Sequence, residues 1–82
     1  MGMNATQLIK MANQIGAFFA SQPDAAQAQV EYAQHLRRQW DPQMRTALYA
    51  HLDACGGEGL SEFALQVLRE SRGQIEPRPA TV

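Results

Sequence analysis

A single cysteine, Cys55, in 82 residues removes any internal disulfide and points to a reducing compartment. An excess of one charge is missing as well. The net charge of −1 gives no general attraction to nucleic acid or to an anionic membrane. No apolar run approaches the roughly 20 residues that a bilayer-spanning helix needs. The start, MGMNATQLIK, has neither the charged opening nor the long apolar stretch of a signal peptide. Gly2 and Thr6 match a myristoylation start no better than chance would, so lipidation is not expected. A cytoplasmic protein is the expectation. There is no internal repeat and no period-2 alternation of the kind that marks strands. A domain of this length buries only about 60–65% of the surface its unfolded chain exposes. Such a chain commonly leans on a disulfide, a metal or a partner.

What is present reads as an all-α fold, a small bundle of about four short helices with an extended or disordered C-terminal tail. Leu8, Met11, Ala12, Ile15, Phe18 and Phe19 recur at three- and four-residue spacing, predicting a helix over Thr6 to Ala20. Ala12, Gly16 and Ala20 form a row of small residues. Gly16 costs roughly 1 kcal/mol relative to Ala inside a helix. Close packing and plain tolerance explain it equally well. Ser21-Gln22-Pro23-Asp24 breaks the chain, with Pro23 disfavouring helix at Gln22 and Asp24 as N-cap. A second helix runs from Ala25 to Gln39 or Trp40, with Ala26, Val30, Ala33, Leu36 and Trp40 as its apolar stripe. Arg37 falls in the middle of that stripe, and Arg38 points away.

Asp41-Pro42 restarts the chain, because Asp is a strong N-cap and Pro at the first helical position loses no hydrogen bond. The third helix is predicted from Pro42 to about Ala54. Its inward stripe is Met44, Ala47, Leu48, His51 and Cys55, with Leu52 on the flank. Gly56-Gly57 ends it. Ser61 caps a fourth helix over Glu62 to Ser71, with Leu60, Phe63, Ala64, Val67 and Leu68 as its stripe, and Gly73 stops it. The domain division is a helical domain over 1–73 and a tail over 74–82, in which Ile75 is the one large apolar anchor.

Several catalytic and metal readings fail on the residues themselves. His51 and Cys55 lie four apart on one helix face, but a zinc site wants four ligands, usually with paired cysteines. A nucleophilic Cys needs a helix N-terminus or a neighbouring cation, and Cys55 is at a helix C-terminus. Gly56-Gly57-Glu58-Gly59 lacks the Lys-Ser/Thr and the preceding strand of a phosphate loop. No catalytic, cofactor-binding or metal-ligating residue is therefore expected. A DNA-binding reading of the helix pair around Asp41-Pro42 lacks the exposed basic and amide side chains of a reading helix.

The stretch His35 to Leu52 concentrates what remains. It holds the only Trp, both His and three of the six Arg. Residues 35–52 carry +2, from Arg37, Arg38 and Arg45 against Asp41. Residues 53–70 carry −3, a modest dipole that could orient docking. Trp, Arg and Tyr are enriched among the residues that dominate protein interfaces. The expected partner-binding residues are Arg37, Arg38, Trp40 and Arg45, with His35 and Tyr49 next.

Three segments, KMANQIGAFF (10–19), AQHLRRQWDPQMR (33–45) and LYAHLDACGGEGLSEFALQVL (48–68), resemble the delta subunit of cytoplasmic NAD-dependent formate dehydrogenases. The resemblance covers roughly residues 8 to 70. It departs at Gln39, where an aromatic is expected before Trp40, and at Cys55, where a small residue is expected. The resemblance implies a non-catalytic accessory subunit with no cofactor of its own. Its partner would be the large catalytic alpha subunit and, through it, the other subunits. Those partners would carry a molybdenum or tungsten bis-pterin centre, iron–sulfur clusters and FMN. The subunit would stabilise the catalytic subunit and assist cofactor insertion or assembly, with no nucleic-acid or membrane partner. The alternatives are a transient maturation chaperone that is not retained in the enzyme and, behind it, a small helical DNA-binding regulator.

Overall fold

The computed structural model describes residues 4–77. Gly2 and residues 78–82 of the expected tail lie outside them. Five helices follow one another with no strand among the described residues: α1 (Ala5–Ala20), α2 (Ala25–Gln39), α3 (Pro42–Cys55), α4 (Glu62–Glu70) and α5 (Arg72–Ile75). The all-α expectation holds.

Each of the four longer helices begins where a side chain satisfies an amide of its first turn, which has no partner within the helix. Asn4 accepts from the Gln7 amide at 2.9 Å, and Asp24 from Gln27 at 3.1 Å. Asp41 accepts from Met44 at 2.9 Å and Ser61 from Ala64 at 3.2 Å. The caps at Asp24, Asp41 and Ser61 are where the sequence predicts them. Pro42 opens α3 and Gly56 closes it in the left-handed region, at φ 66°. Gly57 continues at φ 79° inside the packed turn. A Cβ there would meet the Leu65 side chain and lie 3.0 Å from a Leu52 methyl.

The core draws on every helix. Leu8 and Ala12 come from α1, Tyr32, Ala33 and Leu36 from α2, Leu48, Tyr49 and Leu52 from α3, and Ala64, Val67 and Leu68 from α4. Trp40, Leu60 and Ile75 complete it from the helix junctions and from α5. Two helices are rotated relative to the predicted stripes. In α2 the core side is Ala28, Tyr32, Ala33 and Leu36, whereas Ala26 is exposed and Val30 is 49% exposed. The cause is Tyr32. Its ring buries a large apolar area, and its hydroxyl finds the Ala12 carbonyl at 2.8 Å, so the polar end is satisfied inside the protein. In α3, Tyr49 does the same with the Leu68 carbonyl at 2.8 Å. That turns His51 to a half-buried edge and leaves Cys55 exposed, against the expected inward stripe.

Gly16 belongs to the Tyr32 packing. A Cβ at Gly16 would sit 3.4 Å from the Tyr32 Cζ and hydroxyl oxygen, at the near limit of ordinary contact, so the phenol packs over this glycine with room for a methyl and little more. Gly16 thus lies in a close helix contact that excludes larger side chains, although an alanine would fit there. Rings then continue outward from Tyr32. Its centroid is 5.2 Å from Phe63 and 5.9 Å from Phe19.

The chain does not stop at Gly73. Gly73 lies inside α5, and Ile75 is buried in the core. α5 thus spans the expected boundary at 73/74, with Ile75 buried, Gln74 exposed, and Glu76 and Pro77 half-buried. Two arginines hold this segment. Arg72 pairs with both Asp53 oxygens at 2.7 Å and with Glu76 at 2.6 Å. It also lies 4.9 Å from the centre of the Tyr49 ring. Arg45 donates to the Ile75 carbonyl at 2.8 Å.

Candidate partner-binding surface

The six expected contact residues divide into two groups by burial. Trp40 is 3% exposed and Tyr49 is fully buried. A contact residue has to reach the surface, but the backbone turns extended at Trp40 and the indole folds into the core, where the apolar stripe of α2 predicts it. Tyr49 is likewise a core residue, held by its Leu68 hydrogen bond and roofed by Arg72. Arg45 is half-buried. Its Nε donates to the Trp40 carbonyl at 3.0 Å and its Nη1 to the Ile75 carbonyl at 2.8 Å. Both carbonyls lie at C-terminal helix ends, of α2 and α5, where the helix dipole favours a cation. Arg45 is thus a cross-link within the domain, with one edge facing a surface cleft.

His35, Arg37 and Arg38 remain at the surface, all on the C-terminal half of α2. His35 is half-buried, with its ring 5.7 Å from that of Phe19. Arg37 and Arg38 are exposed in the last turn and form no ion pair among the described residues. The expectation that Arg37 lies within the apolar stripe is overturned by the rotation of α2. That rotation frees its guanidinium.

Two features of this region were not read from the sequence. Phe18 was placed in the inward stripe of α1, yet it is 67% exposed and packs edge-on against Phe19 at 5.3 Å. A signal was available: adjacent residues are about 100° apart on a helix, so Phe18 and Phe19 cannot both face one core. The second is a cleft of about 290 Å³ lined by Arg37, Arg45, Gly73, Gln74, Glu76 and Pro77. No local pattern announces it, because it exists only where α5 folds back against the end of α2.

His51 and the Gly56–Gly59 turn are tied together by hydrogen bonds, while Cys55 is exposed. The His51 Nε2–H donates to the Glu58 carbonyl at 2.8 Å, and Asn13 binds both Gly59 and Ser61 at 2.8 Å. Together they fasten the glycine turn to α3 and α1. Among the described residues no group of three or more His, Cys, Asp or Glu is placed to hold a metal ion. No helix there is long and apolar enough to cross a membrane. The Asp53 carboxyl is held below its ordinary range by its hydrogen bonds from Arg72.

A protein-family model, NADH-dependent formate dehydrogenase delta subunit FdsD, matches residues 7–68. That span runs from the first turn of α1 to near the end of α4. No curated protein and no solved structure matches the chain.

Proposed function

Because this chain belongs to the family of NADH-dependent formate dehydrogenase delta subunits, we propose that it acts as a non-catalytic subunit. It would bind and stabilise the large catalytic subunit in the cytoplasm and support its assembly. The observation that carries this reading is the span of the family match, residues 7–68, which takes in nearly the whole helical domain. The surface geometry supports it. α2 ends in two arginines without an acidic partner among the described residues, beside a half-buried His35. The molybdenum or tungsten bis-pterin, the iron–sulfur clusters and FMN are assigned to the partner subunits. This chain's own His51 and Cys55 do not fit such groups, since His51 is spent on the Glu58 carbonyl and Cys55 stands alone at the surface.

The test is to express the enzyme with and without this chain, and to measure formate oxidation and molybdenum or tungsten bound to the large subunit. Native mass spectrometry of the active enzyme belongs with it. Loss of activity on deletion, with the chain present in fixed stoichiometry in the wild type, supports the reading. Active enzyme that lacks the chain, but whose metal loading falls when the gene is removed, identifies a transient maturation chaperone instead. Unchanged activity and loading without the chain overturn both.

A further inference from the structure

We infer that the cleft between the end of α2 and α5 is a carboxylate-binding site, which receives an Asp or Glu side chain of the large catalytic subunit. Two guanidinium groups, those of Arg37 and Arg45, line one cleft of about 290 Å³. Arg45 is held there by two carbonyls, so its charge is positioned but met by no carboxylate among the described residues. Arg37 is exposed and forms no ion pair among the described residues. The one carboxylate in the wall, Glu76, has both oxygens turned to Arg72, at 2.6 and 3.2 Å. Arg72 is shared with Asp53, so these three groups together carry −1. Against it stand Arg37 and Arg45, and the cleft keeps a net charge of +1. Exposed Gln74 adds a neutral amide donor at the rim.

Arginine suits this task because its planar fork meets a carboxylate with two parallel hydrogen bonds. Arg45 is held by two hydrogen bonds before any partner arrives, so less side-chain freedom is lost on binding. A carboxylate arriving from a partner would complete a network that the free chain leaves open on one side. Arg38 lies next along α2 and would steer the same acidic surface at longer range. The inference rests on the proposed association with the catalytic subunit and names the chemistry of that contact.

The experiment titrates the full chain, carrying Arg37→Glu, Arg37→Lys or Arg69→Glu, against the large catalytic subunit at low and at physiological salt. Arg69 is an exposed arginine of α4 outside this cleft, so its reversal changes net charge equally. Arg37→Glu is expected to weaken the dissociation constant about tenfold or more and to flatten its salt dependence. Arg37→Lys keeps the charge but not the fork, so its affinity should fall between wild type and Arg37→Glu with the salt dependence retained, whereas Arg69→Glu should stay close to wild type. Thermal unfolding of Arg37→Glu should match wild type, because the exposed Arg37 side chain makes no ion pair among the described residues. Binding by Arg37→Glu at wild-type strength overturns the cleft assignment, and so does an equal loss for Arg69→Glu. A wild-type chain that fails to bind the catalytic subunit at all overturns the proposed function instead.

Discussion

The Tyr32 hydroxyl donates a 2.8 Å hydrogen bond to the Ala12 carbonyl, one helical turn before Gly16, over whose bare Cα the phenol ring passes. This contact joins α1 to α2 and sets the rotation of α2. Removing the hydroxyl with Tyr32→Phe keeps the ring and deletes one buried bond, which is worth about 1 kcal/mol. In a domain of this size that lowers the melting temperature by about 4–8 °C. Gly16→Ala places its methyl at ordinary contact distance and restores helix propensity, so it should leave stability unchanged or raise it by up to about 1 kcal/mol. Gly16→Leu should overpack the ring and cost about 1–3 kcal/mol. Thermal melts of the three variants check the set.

Gly56 and Gly57 make a sharper comparison, since both are left-handed. A side chain at Gly56 meets open space, so Gly56→Ala carries only the backbone cost of about 1–2 kcal/mol. At Gly57 the same methyl runs into Leu65 and Leu52, so Gly57→Ala adds overpacking to that cost. Chemical denaturation should rank the loss as Gly57→Ala well above Gly56→Ala. Equal losses would mean that the turn is not packed as described.

How much of this was legible in the sequence follows from the range of each interaction. The caps at Asp24, Asp41 and Ser61 reach three residues along the chain, so residue type and spacing suffice to place them. Helix rotation is different. Tyr32 bonds across 20 residues to Ala12, and Tyr49 across 19 to Leu68. A stripe drawn from apolar side chains alone treats a tyrosine as a surface residue, because its hydroxyl has no visible partner. That one omission turned Val30 and Arg37 inward and Tyr49 outward. The same limit hid α5, whose order depends on Arg45 of α3 reaching Ile75 and on its own Arg72 reaching Asp53 of α3. The motifs around Met44-Arg45 and Gly56-Gly57 were sufficient for the family, since a family resemblance rests on residue identity and not on orientation.

Arg45 closes the C-terminal segment onto the domain, and its loss should act there first. Arg45→Ala leaves the Trp40 and Ile75 carbonyls without their charged donor, at a cost of about 2 kcal/mol. Arg45→Lys should recover only part of this, since a single ammonium lacks the fork that reaches both carbonyls. Hydrogen exchange is the discriminating measurement. The amides of Ile75 and Glu76, bonded to the Ser71 and Arg72 carbonyls, should exchange faster in Arg45→Ala, while those in the middle of α2 change little. Uniform acceleration across the chain would mean that α5 and the core unfold as one unit.

The two buried tyrosines also give the fold an alkaline limit. Burial pushes the Tyr32 phenol above its ordinary value of 10.0. Burial raises Tyr49 likewise, outweighing the nearby Arg72 that would lower it. A folded-state pKa above the unfolded one means that the associated stability is fully present below about pH 10 and is lost as pH rises toward the folded value. The unfolded chain ionises first and is favoured. Few other groups compete in this range: Lys10 is the only lysine and is exposed, and arginine stays charged. Melting temperature should therefore fall progressively as pH rises above about 10, and the Tyr32→Phe/Tyr49→Phe double variant should start lower but decline less steeply. Parallel curves for the two proteins would show that the phenols ionise as freely in the folded chain as in water, and the burial described for them would be wrong.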